Sequence, residues 1–382
     1  MPSAPLNALS DASKPGGRYL FIDSIRGFAA LFVLFQHAAP AFSAHSPRAE
    51  STLIHFLVVD VDLGRVAVAV FFMVSGYVVP FSLKGRRGEG LEHFVISRFF
   101  RLYPMYWFSL AFALAISFWL APPAIPWKLI AINATMMQQF VAKPNVLGVY
   151  WTLQIELIFY ALCALLFALG LLHRRRSLIV AAATSIAVSV LMAVARYETV
   201  RKLPVALPIA LSLMFIGTLW KRYQLDNDRP AGRAVAILTG VFVVLLPAIS
   251  LLAYNRDTGF DEHWFHYTNA YSLALILFFS MTTFGRLHAR WATWLGAVSY
   301  GVYLLHEPVL VIYRTILFPH LPALPALVHT LFVSAFTLAI CGRLHWFLEQ
   351  PCLSAGKFLS NQLRLRRLAA GGLISPADPP LL

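Results

Sequence analysis

The chain has 382 residues, of which 59% are hydrophobic and only 13% are charged, and its mean hydropathy is +0.69. Soluble globular domains carry charge on roughly a quarter of their residues, so this composition excludes a soluble protein and indicates one embedded in a membrane. The net charge of +14 does not indicate nucleic-acid binding, because the basic residues fall in short clusters between apolar runs rather than along one solvated face.

Eleven apolar runs follow one another along the chain, and ten of them are long enough to cross a hydrocarbon core of about 30 Å. The exception is the fourth run, residues 127–140, which is short and interrupted by polar side chains. The ten predicted spans are residues 19–42, 62–83, 103–121, 150–172, 177–196, 203–220, 232–253, 268–285, 294–318 and 323–348. The sequence therefore predicts an all-α, polytopic membrane helix bundle of about ten transmembrane helices plus one short interfacial or re-entrant helix.

The distribution of basic residues predicts the orientation of the bundle. With the N-terminus in the cytoplasm, 20 basic residues fall in the inner segments and seven in the outer ones, as expected for a membrane protein whose inner loops are rich in Lys and Arg. We therefore expect both termini in the cytoplasm, with a cytoplasmic segment 1–18, a single membrane domain 19–352 and a flexible cytoplasmic tail 353–382.

Cysteine spacing indicates neither a disulfide framework nor a metal site. The chain has three cysteines, an odd number, and Cys163 and Cys341 lie within apolar runs. Because no metal-ligand spacing is present, we interpret them as packing residues and expect no bound metal.

Ionisable residues inside the spans are costly, so each one needs a partner or a function. The first span contains Asp23, Arg26 and His37. Eleven residues of helix make three turns plus about 20°, which places Arg26 and His37 on one face about 16 Å apart along the axis. The alternative interpretation is structural, with Asp23 neutralising Arg26 one turn away and His37 making an interfacial hydrogen bond.

A carboxyl group in the predicted span 150–172 is expected beside His37. Glu156 follows the start of this span and lies roughly 9 Å below the outer surface, in the layer that His37 reaches from the inside. A carboxylate next to an imidazole fixes its tautomer and raises its basicity, as a general base requires. A simple hydrogen bond between helices is the alternative. His306, near the middle of the predicted span 294–318 and shortly before Pro308, is also expected to face inward.

Two further positions have both a functional and a structural interpretation. Arg98 and Arg101, three residues apart where the third span leaves the cytoplasm, would form a clamp for phosphate groups. Simple anchoring by positive charge would also explain them. Ser75, followed by Gly76, has the pattern of a small-residue packing site, and a nucleophilic role is the less favoured alternative because no base is evident nearby.

Six motifs in order make the chain similar to the acyltransferase-3 family of integral membrane acyltransferases. They are Ile22-Asp23-Ser24-Ile25-Arg26-Gly27 with His37, Phe71-Phe72-Met73-Val74-Ser75-Gly76-Tyr77, Arg98-Phe99-Phe100-Arg101-Leu102-Tyr103-Pro104, Trp151-Thr152-Leu153-Gln154-Ile155-Glu156 with Phe159-Tyr160, Leu295-Gly296-Ala297-Val298-Ser299-Tyr300 with Tyr303-Leu304-Leu305-His306, and Leu348-Glu349-Gln350-Pro351. Ile25 replaces the Leu common in the first motif, which is a conservative change. Together the motifs cover about residues 19–352.

The resemblance implies an enzyme that transfers an acyl group, usually acetyl, from cytoplasmic acyl-CoA to a hydroxyl of an extracytoplasmic carbohydrate or lipid-linked sugar. It implies acyl-CoA, a carbohydrate or glycolipid acceptor and membrane lipid as partners, no permanently bound cofactor, and a multi-pass location in a bacterial inner membrane. The expected catalytic residues are His37, Glu156, His306 and Tyr300. The expected donor-binding residues are Arg26, Ser75, Arg98 and Arg101.

In the predicted reaction His37, oriented by Glu156, takes the acceptor hydroxyl proton while Tyr or His side chains such as His306 stabilise the oxyanion. Direct transfer and transfer through a covalent acyl-enzyme are both open. The rival functions are a transporter of an acidic solute, whose inward charges would bind substrate at mid-membrane, and a non-catalytic scaffold. Polar sites at two different depths favour transfer between two substrates, because a carrier needs one site reachable from both sides.

Overall fold

A computed structural model describes residues 19–120, 125–255 and 263–370. Within these ranges the chain forms thirteen α-helices, linked in places by short 3₁₀ and π turns, and no β-strand. The helices are α1 (Leu20–Ala38), α2 (Arg48–His55), α3 (Leu63–Val78), α4 (Arg87–Leu120), α5 (Trp127–Ala134), α6 (Trp151–Ala168), α7 (Arg175–Thr199), α8 (Ala206–Asp226), α9 (Arg229–Tyr254), α10 (Trp264–Thr283), α11 (Arg290–Ile316), α12 (Ala326–Leu344) and α13 (Gln350–Ala370). The predicted segment 1–18 lies outside the described residues.

The predicted membrane spans are present as long helices. Eight helical segments of the described chain are long and apolar enough to cross a membrane, and they contain α1, α3, α4, α6, α7, α9, α11 and α12. The other two predicted spans correspond to α8 and α10, with 21 and 20 residues, or about 30 Å of helix at 1.5 Å per residue. Both pack inside the bundle, α8 against α3, α7 and α9, and α10 against α3 and α9. The polytopic helical bundle is confirmed.

Loops that were all predicted to be cytoplasmic meet at one end of the bundle. Asp228, before α9, forms ion pairs with Arg175 at 2.9 Å and with Arg222 at 3.2 Å. Its carboxylate also accepts a hydrogen bond from the Ala231 N–H at 3.1 Å and so caps the first turn of α9. Partial burial acts to raise the pKa of Asp228, but these donors hold it below its usual value. These contacts bring the α6–α7 and α8–α9 connections to the same end of the bundle, as the charge pattern requires, while the assignment of this end to the cytoplasm stays a prediction.

The helix that contains the predicted third span is longer than expected. α4 has 34 residues and runs through Pro104 without a break, so the two arginines of the predicted clamp lie on a helix continuous with the span. α13 packs along the first part of α4, and Arg367 near its end forms an ion pair with Glu92. The expectation of a flexible tail from residue 353 was therefore wrong as far as residue 370, because these contacts order the chain as a helix.

The short helix α5 has eight residues and measures about 12 Å, too little to cross a membrane. Aromatic side chains of α4 hold its C-terminal end. The hydroxyl of Tyr106 donates to the carbonyl oxygen of Asn133 at 2.6 Å, and the indole N–H of Trp107 donates to that of Ala134 at 2.8 Å. These bonds satisfy carbonyl groups that have no partner within the helix, so the prediction of a short, non-spanning helix is confirmed.

Glycines allow the site-forming helices to approach closely. A Cβ atom added at Gly296 of α11 would overlap the backbone of Asp23 in α1, and one added at Gly76 of α3 would overlap the backbone of Met214 in α8. Small residues at membrane helix crossings permit such backbone contact. The predicted packing role of the Ser75-Gly76 pair is thus fulfilled by Gly76, and the α1–α11 crossing fixes the relative height of the residues that both helices contribute to the site.

Candidate active site

A cavity of about 670 Å³ opens among the basic ends of the helices. Its charged lining contains six cations and four carboxyl groups, so it carries an excess of positive charge. The cationic residues are Arg26, Lys84, Arg98, Arg101, Lys221 and Lys357, and the acidic ones are Asp23, Glu156, Asp226 and Glu349. We call this space the basic cavity. It has the charge and size to receive a polyanionic ligand.

The predicted phosphate clamp lines the basic cavity. Arg98 donates a hydrogen bond to the hydroxyl of Ser82 at 2.8 Å, and its guanidinium lies 5.2 Å from the ring centroids of both Phe94 and Tyr160. Arg101, one helical turn further along α4, lines the same cavity. The structure therefore brings the two arginines together as predicted and holds one of them by an aromatic and a polar contact.

Three lysines of the basic cavity were assigned from the sequence only to positive-inside anchoring. Lys221 is 6% exposed, and its ammonium group lies 4.2 Å from the ring centroid of Phe81 and 4.6 Å from that of Tyr19. Lys84 and Lys357 also line the cavity. No sequence signal separates such lysines from anchors, because both occur at the cytoplasmic ends of spans.

The motif at the junction of α12 and α13 forms another part of the basic cavity wall. The chain makes a π turn over His345–Glu349, and the Nδ1 of His345 lies 2.8 Å from the Glu349 carboxylate. The side-chain amide of Gln350 donates to the other imidazole nitrogen at 2.9 Å. Both ring nitrogens are thus occupied, which makes this histidine a fixed wall element rather than an available base.

A smaller cavity of about 60 Å³ continues from the basic cavity. The two share Arg26, Ser75 and Glu156. The remaining polar lining of the small cavity consists of Thr152, Ser299, Tyr300 and Tyr303. This small cavity extends the polar space from the basic end toward the interior of the bundle.

Glu156 belongs to the small cavity and not to the environment of His37. Its carboxylate accepts hydrogen bonds from Tyr160 at 2.5 Å and from Ser75 at 3.4 Å. The predicted pairing with His37 was therefore wrong. The prediction assumed that the span containing Glu156 starts at the outer surface, level with His37. In the structure Gly148, just before α6, lies beside Glu307. Glu156 lies eight residues later, about 12 Å further along the helix axis.

His37 instead pairs with His306. The Nδ1 of His37 and the Nε2 of His306 are 3.0 Å apart, and the rings stack with centroids 5.0 Å apart. His306 is 1% exposed, while His37 is exposed. The sequence places His306 near the middle of its span and His37 in the outer layer, whereas the structure brings both rings to one level, because α1 and α11 pack side by side.

Glu307 completes the group around this histidine pair. One ligand atom from each of His37, His306 and Glu307 lies within 4.8 Å of the others. The carboxylate of Glu307 accepts a hydrogen bond from the backbone N–H of Gly148. Sequence reasoning gave Glu307 no role, although its position next to His306 was the available signal.

Tyr300 and Tyr303 line the small cavity, and Tyr303 also lies next to the histidine pair. The hydroxyl of Tyr300 donates its hydrogen bond to the carbonyl oxygen of Leu102 at 2.9 Å. In this geometry the same proton is not available to stabilise an oxyanion. The hydroxyl of Tyr303 bonds with the carbonyl oxygen of Val149 at 3.0 Å, and its ring centroid lies 6.2 Å from that of His306. The catalytic role predicted for Tyr300 stays a prediction, and the structure gives its side chain a place in the cavity wall.

Comparison with known proteins identifies the family of this chain. The family described as an acyltransferase domain matches residues 19–346, and the chain belongs to this acyltransferase-3 family. Acyltransferase MdmB from Streptomyces mycarofaciens is 28% identical over 147 residues, 36% of this chain and 36% of that protein. Protein 2 in the picA locus of Rhizobium radiobacter is 32% identical over 103 residues, 26% of this chain and 46% of that protein. The chain thus matches less than half the length of either relative, and no solved structure matches it.

Proposed function

We propose that this membrane acyltransferase moves an acyl group, acetyl being the simplest, from cytoplasmic acyl-CoA to a hydroxyl of an extracytoplasmic carbohydrate or lipid-linked sugar. The observation that carries the proposal is the arrangement of two chemically different sites at two depths. The basic cavity lies at one end, and the histidine pair lies beyond the small cavity that continues from it. Such an arrangement suits a donor and an acceptor that approach from opposite sides.

The donor site in this proposal is the basic cavity. Coenzyme A carries several phosphate charges, and guanidinium groups bind phosphate oxygens in a bidentate manner. Arg98 and Arg101 are placed to do so, with the surrounding lysines adding positive charge. Arg26, which is shared with the small cavity, is a further contact closer to the thioester end.

The path of the acyl group in this proposal follows α11. Tyr300 and Tyr303 line the small cavity, and His306 follows Tyr303 by three residues, or about 4.5 Å along the helix axis. A pantetheine arm that extends through the small cavity would bring the thioester to the edge of the histidine pair. The acceptor hydroxyl then needs to approach His37 only from the exposed side.

The reaction is balanced with His37 as its base. The acceptor hydroxyl gives its proton to His37 while its oxygen attacks the thioester carbonyl carbon. The tetrahedral intermediate then breaks its carbon–sulfur bond, and the proton passes from His37 to the departing sulfur. One ester forms, one thioester is consumed, and free coenzyme A is released toward the basic cavity.

The proposal also includes a place in the cell. Both relatives come from bacteria, and the chain has membrane-spanning helices throughout. We therefore propose the bacterial inner membrane, with the basic cavity open to the cytoplasm.

Everted membrane vesicles, which expose the cytoplasmic face and retain their own glycans and lipids, test this function. Supplied with [¹⁴C]acetyl-CoA, vesicles with the wild-type protein should incorporate label into glycan or glycolipid material. Vesicles with the His37→Gln variant at equal protein level should not. Equal incorporation by the variant would remove His37 from the chemistry. Uptake of an acidic solute without any acyl transfer would favour the transporter.

A further inference from the structure

The contact between His37 and His306 specifies where the protons of the two rings lie. The Nδ1 of His306 lies 3.0 Å from the carbonyl oxygen of Val302, one turn earlier in α11. A carbonyl oxygen can only accept a hydrogen bond, so this nitrogen carries the proton. In the neutral ring the Nε2 of His306 is then a lone pair, and it points at His37.

The same reasoning assigns the proton of His37. Its Nδ1 has two neighbours, the Nε2 of His306 at 3.0 Å and the carbonyl oxygen of Val33 at 3.1 Å. Both neighbours are acceptors, so the Nδ1 of His37 must be the donor. The lone pair of neutral His37 therefore lies on Nε2, on a side chain that is exposed. A base needs its lone pair in such a position to take a proton from an incoming hydroxyl.

Burial separates the roles of the two histidines. His306 is 1% exposed, and an imidazolium buried so deeply would lose its hydration. His306 is thus suited to remain neutral and to accept a hydrogen bond, whereas the exposed His37 is suited to gain and lose a proton. The nearby Glu307 carboxylate, held by the Gly148 N–H, lies where it offsets the positive charge of a protonated His37.

We propose that His306 is a positioning residue, whose Nε2 accepts the Nδ1–H of His37 and so keeps the reactive lone pair of His37 on Nε2. This inference rests on the proposed function, because it takes His37 as the base. It replaces the oxyanion-stabilising role expected for His306 from the sequence, since neither nitrogen of a neutral His306 has a proton left to donate to the substrate.

Two substitutions of equal polarity separate this role from a structural one. In His306→Gln the amide oxygen can occupy the place of Nε2 and accept from His37. In His306→Asn the shorter amide reaches only the place of Nδ1, beside Val302. With reconstituted protein, [¹⁴C]acetyl-CoA and lipid extract from the vesicles, we expect His306→Gln to stay within about 10-fold of wild-type kcat and His306→Asn to lose about 100-fold, as for loss of a partner that orients a reactive side chain. The KM for acetyl-CoA should be unchanged in both.

The tautomer itself can be measured without any activity. ¹⁵N NMR of protein labelled at histidine should show His37, identified by its loss in His37→Gln, as the Nδ1–H tautomer in wild type and in His306→Gln. That signature should be lost in His306→Asn. An Nε2–H tautomer of His37 in the wild-type protein would overturn the proposal, and so would equal kcat values for the Gln and Asn variants.

Two controls separate this inference from its alternatives. If His37→Gln is active, His37 is not the general base and the proposed mechanism fails. If His37→Gln is inactive while both His306 variants match wild type, only the positioning role fails. Zinc is the competing occupant, because two histidines and a carboxylate form a common zinc ligand set. Stoichiometric zinc in the purified protein, with transfer abolished by a chelator and restored by zinc, would overturn the hydrogen-bonded pair. Full activity in the chelator supports it.

Discussion

The basic cavity and the histidine pair are built on different physical principles. The basic cavity collects six long cationic side chains from several helices, so its attraction for an anion is spread over many groups. The histidine pair depends on two rings, each held by a backbone carbonyl one turn earlier in its own helix. A distributed site should lose affinity gradually when one group is changed, whereas a site with a single reactive atom should lose its function at once.

The orientation of the two regions is an all-or-none prediction. A reporter that is active only in the cytoplasm should be positive when fused after Arg176 and negative when fused after Lys143, because basic loops are retained inside. Fusions to otherwise complete chains at these two positions, compared at equal expression, make the measurement. The opposite result at both positions would place the histidine pair on the cytoplasmic side and reverse the roles given to the two regions.

The largest expected effect on catalysis is at His37. His37→Ala should lower the rate of acyl transfer about 1,000-fold, since it removes the proposed base, and should leave acetyl-CoA binding unchanged because the proposed phosphate contacts lie in the basic cavity. Transfer rates and equilibrium binding of acetyl-CoA measure the two effects. His93→Ala, at an exposed histidine of α4, is the control and should match wild type. Weaker donor binding in His37→Ala would show that the two regions are not separate.

An intermediate effect is expected at Glu156, which lies between the two regions. Glu156→Gln keeps the shape but loses the charged acceptor of the Tyr160 and Ser75 hydrogen bonds. Hydrogen bonds to charged groups contribute about 1.5–3 kcal/mol, so we expect kcat/KM for acetyl-CoA to fall about 10- to 100-fold. If His37 depended directly on Glu156, the ¹⁵N signature of His37 would change as well. An unchanged ¹⁵N signature of His37 would show that Glu156 acts in the small cavity without affecting the histidine pair.

The α1–α11 crossing links both regions, and it should be sensitive to one added methyl group. Gly296→Ala would push against the backbone of Asp23 and should cost about 1–3 kcal/mol of stability, as overpacking does. Gly240→Ala in α9 meets nothing within 4 Å and should be neutral or slightly stabilising, because Ala favours helix. Thermal unfolding in detergent compares the pair. Equal stability of the two variants would contradict the close crossing.

The smallest effect is expected for a single cation of the basic cavity. Arg98→Lys keeps the charge but loses the forked geometry for phosphate, and we expect acetyl-CoA affinity to fall about 10-fold, equivalent to about 1.4 kcal/mol, with kcat little changed. Arg229→Lys, at an exposed arginine on the same end of the bundle, is the matched control. Affinity equal to wild type in Arg98→Lys would mean that Arg98 acts only as a positive charge.

The sequence by itself determined the helical class, the presence of a short, non-spanning helix within residues 127–140, and the features that lie on one helix. Arg26 and His37 share a face because helical periodicity is local. In the structure both face α11, since Arg26 lines the small cavity with residues of α11 and His37 contacts His306. Arg98 and Arg101 were recognisable for the same reason, since three residues make almost one turn of helix.

Only the tertiary structure decided which residues of different helices meet. The height of one helix relative to another depends on the loops that join them and on close crossings such as that of Gly296 with Asp23. The start of α6 was predicted to within one residue, but its level in the bundle was not. Gly148, just before α6, lies beside Glu307, so Glu156 lies about 12 Å further along the helix axis instead of beside His37. His306 took that place because the same crossing brings α1 and α11 together, and no pattern within either helix records this contact.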